Sequence, residues 1–345
     1  MMRERLVFLG KNEEERTEKG VVMKKLCLIV LCVMVIIAMG CRQESELKIE
    51  EGFLTGADGV QLFYRMMGSS ENTVVFLHGS PSRSNAFAPD FEPLCRNNTL
   101  IFYDQRGGDR SDLITDPALL TWKHHVRDLE EVRKHFGLEK MKILGISWGS
   151  MLAALYGAEH PERVERLLLL PARARRNPEP PDITDWTDRL SSEKRERIDE
   201  LMRIWADAED PVSVCREYWN ISLPYFFADP DSFSLMRSDF CDKSPEALRN
   251  TFLVAEALSQ SLGGYDLRPM LSIIPAPALI MKGTHSTMQK EWVEEWAITL
   301  PNARMQWIPE AGMAVWIEKA DLFFRAADQF LKDEWPEESI ILKTT

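Results

Sequence analysis

The sequence predicts a mixed α/β protein whose mostly parallel, doubly wound sheet is interrupted late in the chain by a helical insertion. Three observations predict it. Short apolar runs bounded by turns, "TVVFLHGS" (Thr73 to Ser80), "TLIFYDQRGG" (Thr99 to Gly108), "MKILGIS" (Met141 to Ser147) and "RLLLLPA" (Arg166 to Ala172), read as strands buried on both faces. Helical stretches lie between them, and alternation of strand and helix is the pattern of a doubly wound sheet. After Arg176 the pattern changes to amphipathic helix rich in Trp, Phe and Met, entered through the linker "NPEPPD" (Asn177 to Asp182).

At 345 residues and 45% apolar composition, the chain is long enough to bury a sizeable core. A formal net charge of −12, with no basic run longer than "RARR" (Arg173 to Arg176), argues against a nucleic-acid partner, because neutralising phosphates takes clustered Lys and Arg. Residues 1–41 read as a targeting region: Lys24 and Lys25 precede the apolar "LCLIVLCVMVIIAMG" (Leu26 to Gly40), which is short for a bilayer span and ends at Cys41. With "AMGC" (Ala38 to Cys41) at its end, the segment resembles a bacterial lipoprotein signal. The resemblance implies lipid on Cys41 and a membrane-anchored protein facing outside the cytoplasm. Met23, followed by two lysines, reads as the natural start of translation. Of six cysteines, Cys27 and Cys32 fall in the signal and Cys41 is the lipid acceptor. Cys95, Cys215 and Cys241 lack metal-ligand spacing; Cys215 with Cys241 is the candidate disulfide, and two buried free thiols are the alternative.

The folded region opens with "LKIEEGFLTGADGVQLFYRMMG" (Leu47 to Gly68), two alternating runs about "GADG", which is a hairpin pattern. In "TWKHHVRDLEEVRKHFG" (Thr121 to Gly137), Val126, Leu129, Val132 and Phe136 recur at helical spacing and Gly137 stops the helix. "PALIMKG" (Pro277 to Gly283) and "ARMQWIP" (Ala303 to Pro309) restore the strand pattern after the insertion, with helices over Gln289 to Leu300 and Lys319 to Leu331. The resulting division is a core over 42–176, a helical lid over 177–266, the rest of the core over 267–332 and a tail over 333–345.

Gly145-Ile146-Ser147-Trp148-Gly149 fits G-x-S-x-G between a predicted strand and a predicted helix. The glycines clear space around a strained serine whose hydroxyl projects above the sheet, so Ser147 is the candidate nucleophile. "HGSP" (His78 to Pro81), after an earlier strand, supplies a backbone N–H at Ser80 that pairs with the N–H of Trp148 as an oxyanion hole. His78 itself reads as a residue that braces this loop.

In these motifs the chain resembles the α/β-hydrolase superfamily, and within it the proline iminopeptidase-like branch. "HGSP", "DQRGGDRS" (Asp104 to Ser111), "GISWGS" followed by "HPERV", and "YDLRPML" before "IPAPALIMKG" match in type, order and spacing, over roughly Leu47 to Leu331. The resemblance implies an α/β-hydrolase fold with a helical lid, cleavage of ester, amide or peptide bonds in small substrates, and no cofactor or metal.

Three positions depart from the pattern. Asp109 replaces the second glycine of "DQRGxG", at a position where Asp tolerates positive φ. Ser286 stands where the "GxxD" acid is expected, and Met313 stands where the histidine base of the "GxGH" turn is expected. A methionine has no basic nitrogen, and a serine without a neighbouring base is a poor nucleophile. His124, His125, His135 and His160 are expected on the solvated side of their helices. His285, beside the acid position, is the one histidine placed to substitute. Trp205, Tyr218, Trp219, Phe226 and Phe227 line a substrate pocket or pack the lid on the core. Two functions follow: a serine-type hydrolase of doubtful turnover, or a non-catalytic, membrane-tethered protein that binds a small ligand or peptide in the old pocket.

Overall fold

The computed structural model describes residues 47–79, 85–176 and 186–342; Cys41 with the signal, and Ser80, lie outside the described residues. Among the described residues, eight strands form one sheet in the order β1-β2-β4-β3-β5-β6-β7-β8. β1 (Ile49–Thr55) and β2 (Gln61–Met67) are the expected antiparallel hairpin, with Thr55 opposite Gln61. Its turn uses positive φ at Asp58 and Gly59, the backbone twist that matches paired strands.

β2 runs antiparallel to β4 (Thr99–Tyr103), and from there β3 (Thr73–Leu77), β5 (Met141–Ser147), β6 (Val164–Pro171), β7 (Ala278–Gly283) and β8 (Ala303–Ile308) are parallel. Helices cover both faces, which is why the central strands are mostly apolar. On one face α1 (Trp122–His135), α2 (Trp148–Glu159) and α6 (Lys290–Thr299) bury Val126, Leu152 and Trp296 against Ile143, Leu169 and Ile280. On the other, α7 (Ala320–Leu331) and the turn of helix at Ala88–Phe91 bury Phe323, Phe330 and Phe91 against Phe76, Leu144 and Met281.

The chain leaves the sheet after β6 and returns at β7, and between them lie α3 (Ser192–Ile204), α4 (Pro211–Ser222) and α5 (Pro245–Leu262). Each begins where a capping side chain takes up orphan backbone N–H groups: Ser191 accepts from Lys194, Asp210 from Val212 and Ser213, and Ser244 from Ala247. Cys215 and Cys241 form a disulfide inside this insertion. Cys95 is a free, buried thiol, pushed up to about 12 by burial and so unreactive. The aromatic stripe packs: Trp205 meets Tyr218 and Phe252 edge-on, Trp219 meets Phe240, and Phe227 joins the core. The insertion is moored to the core where Arg237 and Ser238 donate to the Asp90 carboxylate, where Phe240 packs on Phe87, and where Asn250 donates to the Gly107 carbonyl. Among the described residues no helix is long and apolar enough to cross a membrane.

Candidate active site

Ser147 ends β5 and caps α2 with φ +52° and ψ −114°, a conformation non-glycine residues rarely hold. The two glycines of the motif permit it by close approach. A Cβ at Gly149 would lie 1.9 Å from the Leu77 carbonyl oxygen, and one at Gly145 would lie 2.8 Å from the Gly149 carbonyl. The serine is thereby lifted to the C-terminal rim of the sheet, where ligands of parallel α/β folds bind.

The backbone N–H of Trp148 opens α2, and the first turn of a helix leaves its N–H groups without intrahelical partners. The indole is fixed on two sides. Its Nε1 donates to Gln105 Oε1 at 2.7 Å, and the His125 ring meets it edge-on at 5.6 Å. Gln105 is held in turn by its backbone N–H donating to His78 Nε2 at 3.4 Å. His78 is buried in this network, in a loop-bracing place; Ser80, the second oxyanion candidate, lies outside the described residues.

One expectation about the histidines is overturned. His125 is 1% exposed instead of solvated, and burial, then Arg106 and His124, hold its pKa down to about 3. Its place follows from neighbouring Val126 and Asp128 also facing inward, Asp128 to pair with Arg106 through Nε at 2.6 Å and Nη2 at 2.7 Å. That buried pair anchors the "DQRGG" loop, since Arg106 also donates to the carbonyls of Ala57 and Leu119. Next in the loop, Asp109 takes φ +31° in place of glycine. Asp104, pushed up to about 6 by burial and by Asp109, accepts from the Arg110 N–H.

Across the rim, Met313 occupies the turn after β8. Its backbone N–H donates to the Phe226 carbonyl at 2.7 Å, and its thioether sulfur accepts from the Thr287 hydroxyl at 3.4 Å. The side chain that meets Met313 is therefore Thr287. Ser286 turns its hydroxyl to the Met288 N–H at 3.2 Å. His285 is exposed and shares a 3.1 Å hydrogen bond with its neighbour Thr284, so the described contacts do not bring it to Ser147. Glu318, which sequence reasoning missed, pins the Met313 turn to the insertion by accepting from Gly312 at 2.6 Å and from Ala228 at 2.7 Å. Nothing in one sequence marks Thr287 or Glu318, because each acts through a partner far along the chain; Gln105 stands in the "DQRGG" motif, but its bond to Trp148 is set by the fold. Among the described residues no cluster of His, Cys, Asp or Glu could hold a metal ion.

The model of the alpha/beta hydrolase fold matches residues 72–201. The proline iminopeptidase of Lactobacillus helveticus is 38% identical over 117 residues, 32% of this chain and 40% of that protein, so this match spans less than half of the relative. The proline iminopeptidase of Clostridioides difficile is 22% identical over 83% of this chain and 99% of its own. Among solved structures, an esterase from Exiguobacterium antarcticum superposes with a TM-score of 0.63 at 22% identity, covering 82% of this chain and all of the esterase. The proline iminopeptidase of Mycobacterium smegmatis does so with a TM-score of 0.59 at 18% identity, over 82% and 98% of the two chains. The strained serine elbow, the parallel sheet and these matches define one class. The chain has the α/β-hydrolase fold, and over the residues matched it is similar to proline iminopeptidases.

Proposed function

We propose that the protein is a serine-type hydrolase of small ester, amide or peptide substrates, with Ser147 as nucleophile and the N–H groups of Trp148 and Ser80 as oxyanion donors. The observation that carries this reading is the strained Ser147 backbone, which a merely structural turn has no reason to maintain. With Met313 at the expected base position and Ser286 at the expected acid position, and the Met313 sulfur engaged by Thr287, the standard proton path from Ser147 has no base and turnover by that path is slow. An active-site serine probe read by mass spectrometry tests the proposal. Labelling of Ser147 that is lost in Ser147→Ala supports the hydrolase. No labelling of a folded protein favours the second reading, a ligand- or peptide-binding protein, to which a methionine at the expected base position lends support.

The proposed place of action is the cell envelope, on a lipid anchor at Cys41. The Cys215–Cys241 disulfide supports it, since such bonds persist in oxidising compartments. Metabolic labelling with palmitate should mark the native protein and not Cys41→Ser. Unmodified full-length protein in the cytosol would refute the anchor.

A further inference from the structure

Gln105 follows β4 by two residues, is fully buried, and bonds through its side-chain amide to the loops on either side of it in the sheet. Oε1 accepts from the Trp148 indole at 2.7 Å, at the start of α2, and Nε2 donates to the His78 carbonyl at 3.4 Å, just beyond β3. The two bonds fix the orientation of the amide, because an indole N–H only donates and a carbonyl only accepts. The backbone N–H of Gln105 also settles the proton on His78. It donates to Nε2 at 3.4 Å, so Nε2 carries no hydrogen and Nδ1–H donates to the Gly79 carbonyl at 3.4 Å. His78 is a neutral strut, and the Gln105 amide is a bridge of fixed length.

The bridge joins two segments that already touch at the serine elbow. A Cβ at Gly79 would lie 3.2 Å from the Ser147 Cβ, and one at Gly149 would lie 2.9 Å from the His78 carbonyl oxygen. Backbone contact therefore stops the loop after β3 from coming closer to α2. The strand pairing beneath it ends earlier, at Leu77 opposite Gly145. Contact resists approach, whereas a hydrogen-bonded bridge resists separation, and Gln105 supplies that second restraint. His78, Gln105 and Trp148 are each more than nine-tenths buried, so water is poorly placed to replace a lost bond.

We propose that Gln105 is a positioning residue for the oxyanion hole: by joining the His78 carbonyl to the Trp148 indole, it holds the loop after β3 at a fixed spacing from the first turn of α2, where the Trp148 N–H is a donor. The inference rests on the hydrolase reading above. Donors from separate segments stabilise an oxyanion only when they converge on one place to within about half an ångström, and the transition state needs that precision more than the bound ground state does. Loosening the bridge should slow bond formation at Ser147 and leave reversible binding unchanged.

A fluorophosphonate ester tests this in the full chain. Ser147 Oγ bonds to phosphorus, fluoride leaves and the hydroxyl proton passes to water, and saturation kinetics separate the inactivation rate, kinact, from the reversible affinity, KI. Gln105→Met has a similar length without hydrogen-bonding groups and should lower kinact about tenfold or more with KI unchanged. Trp148→Phe removes the indole N–H and should act similarly; the double variant should fall little further, because either change breaks the same bridge. Gln105→Glu probes the bridge by pH. Its carboxylate accepts from the indole but cannot donate to His78, whereas its protonated form does both, so kinact relative to the parent should recover as pH falls from about 8 to about 5. A merely structural role would not produce that recovery. If Gln105→Met fails to fold, Trp148→Phe and the Gln105→Glu profile decide. An unchanged kinact in folded Gln105→Met or in Trp148→Phe, or a Gln105→Glu ratio that ignores pH, would overturn the Gln105 proposal alone. A folded parent that leaves Ser147 unlabelled would overturn the hydrolase reading and this proposal with it.

Discussion

Lys282, in β7, is 4% exposed, and among the described residues its amine meets only the Met288 sulfur at 3.8 Å, so replacing it by methionine should make the protein more stable. The folded chain lowers the amine from its ordinary 10.5 to about 8, with burial as the only cause. At about 1.4 kcal/mol for each tenfold change, burying the charged form costs on the order of 3 kcal/mol. The sign follows from proton counts. Between about pH 8 and 10.5 the unfolded chain keeps a proton that the folded chain has lost, so stability rises with pH across that window and the whole cost is present below it. Lys282→Met removes the charge, keeps an unbranched stem and sets a thioether against Met288. The variant should therefore exceed the parent by about 3 kcal/mol at pH 7, and the gain should shrink below about 1 kcal/mol near pH 10.5. Urea unfolding followed by tryptophan fluorescence at both pH values measures the difference. A variant less stable than the parent at pH 7, or a gain that does not change with pH, refutes the claim that this ammonium is buried without compensation.

Removing the disulfide with Cys215→Ser and Cys241→Ser, a sequence separation of 26, should cost about 3 to 4 kcal/mol by loop-closure entropy, and reductant should bring the parent's melting temperature toward the variant's. Arg106→Met should cost about 3 to 5 kcal/mol, because it strands the Asp128 carboxylate in the core; chemical denaturation reads it directly. Met313→His should raise ester hydrolysis by supplying a conventional base, and adding Thr287→Asp should raise it by a further 10² or so. Because Thr287 meets residue 313 and Ser286 does not, Ser286→Asp should add much less; equal gains from the two would show that the turn rearranges.

The sequence by itself determined the layers, the hairpin, the order of strands along the chain and the serine elbow, because each depends on local periodicity or on a turn that only certain residues allow. It also singled out Met313 and Ser286 as the expected base and acid positions, since those are counted from short motifs. It left Cys215 and Cys241 undecided between a disulfide and free thiols, and only the packing of α4 against the segment before α5 brought the sulfurs together. His125 was misread as solvated because helical spacing fixes a face only to within a residue; the buried Arg106–Asp128 pair and the indole of Trp148 decided that it turns inward. In the same way, "GTHST" could not tell which hydroxyl meets Met313: Ser286 bonds its own turn and Thr287 reaches across to the next strand's loop. Lys282 was one letter in an apolar run. Its meaning came from the fold, which buries its amine without a counter-charge among the described residues. Local pattern encodes the scaffold, whereas a side chain's charge, partner and reach are properties of segments far apart in the chain, and only the folded sheet sets them side by side.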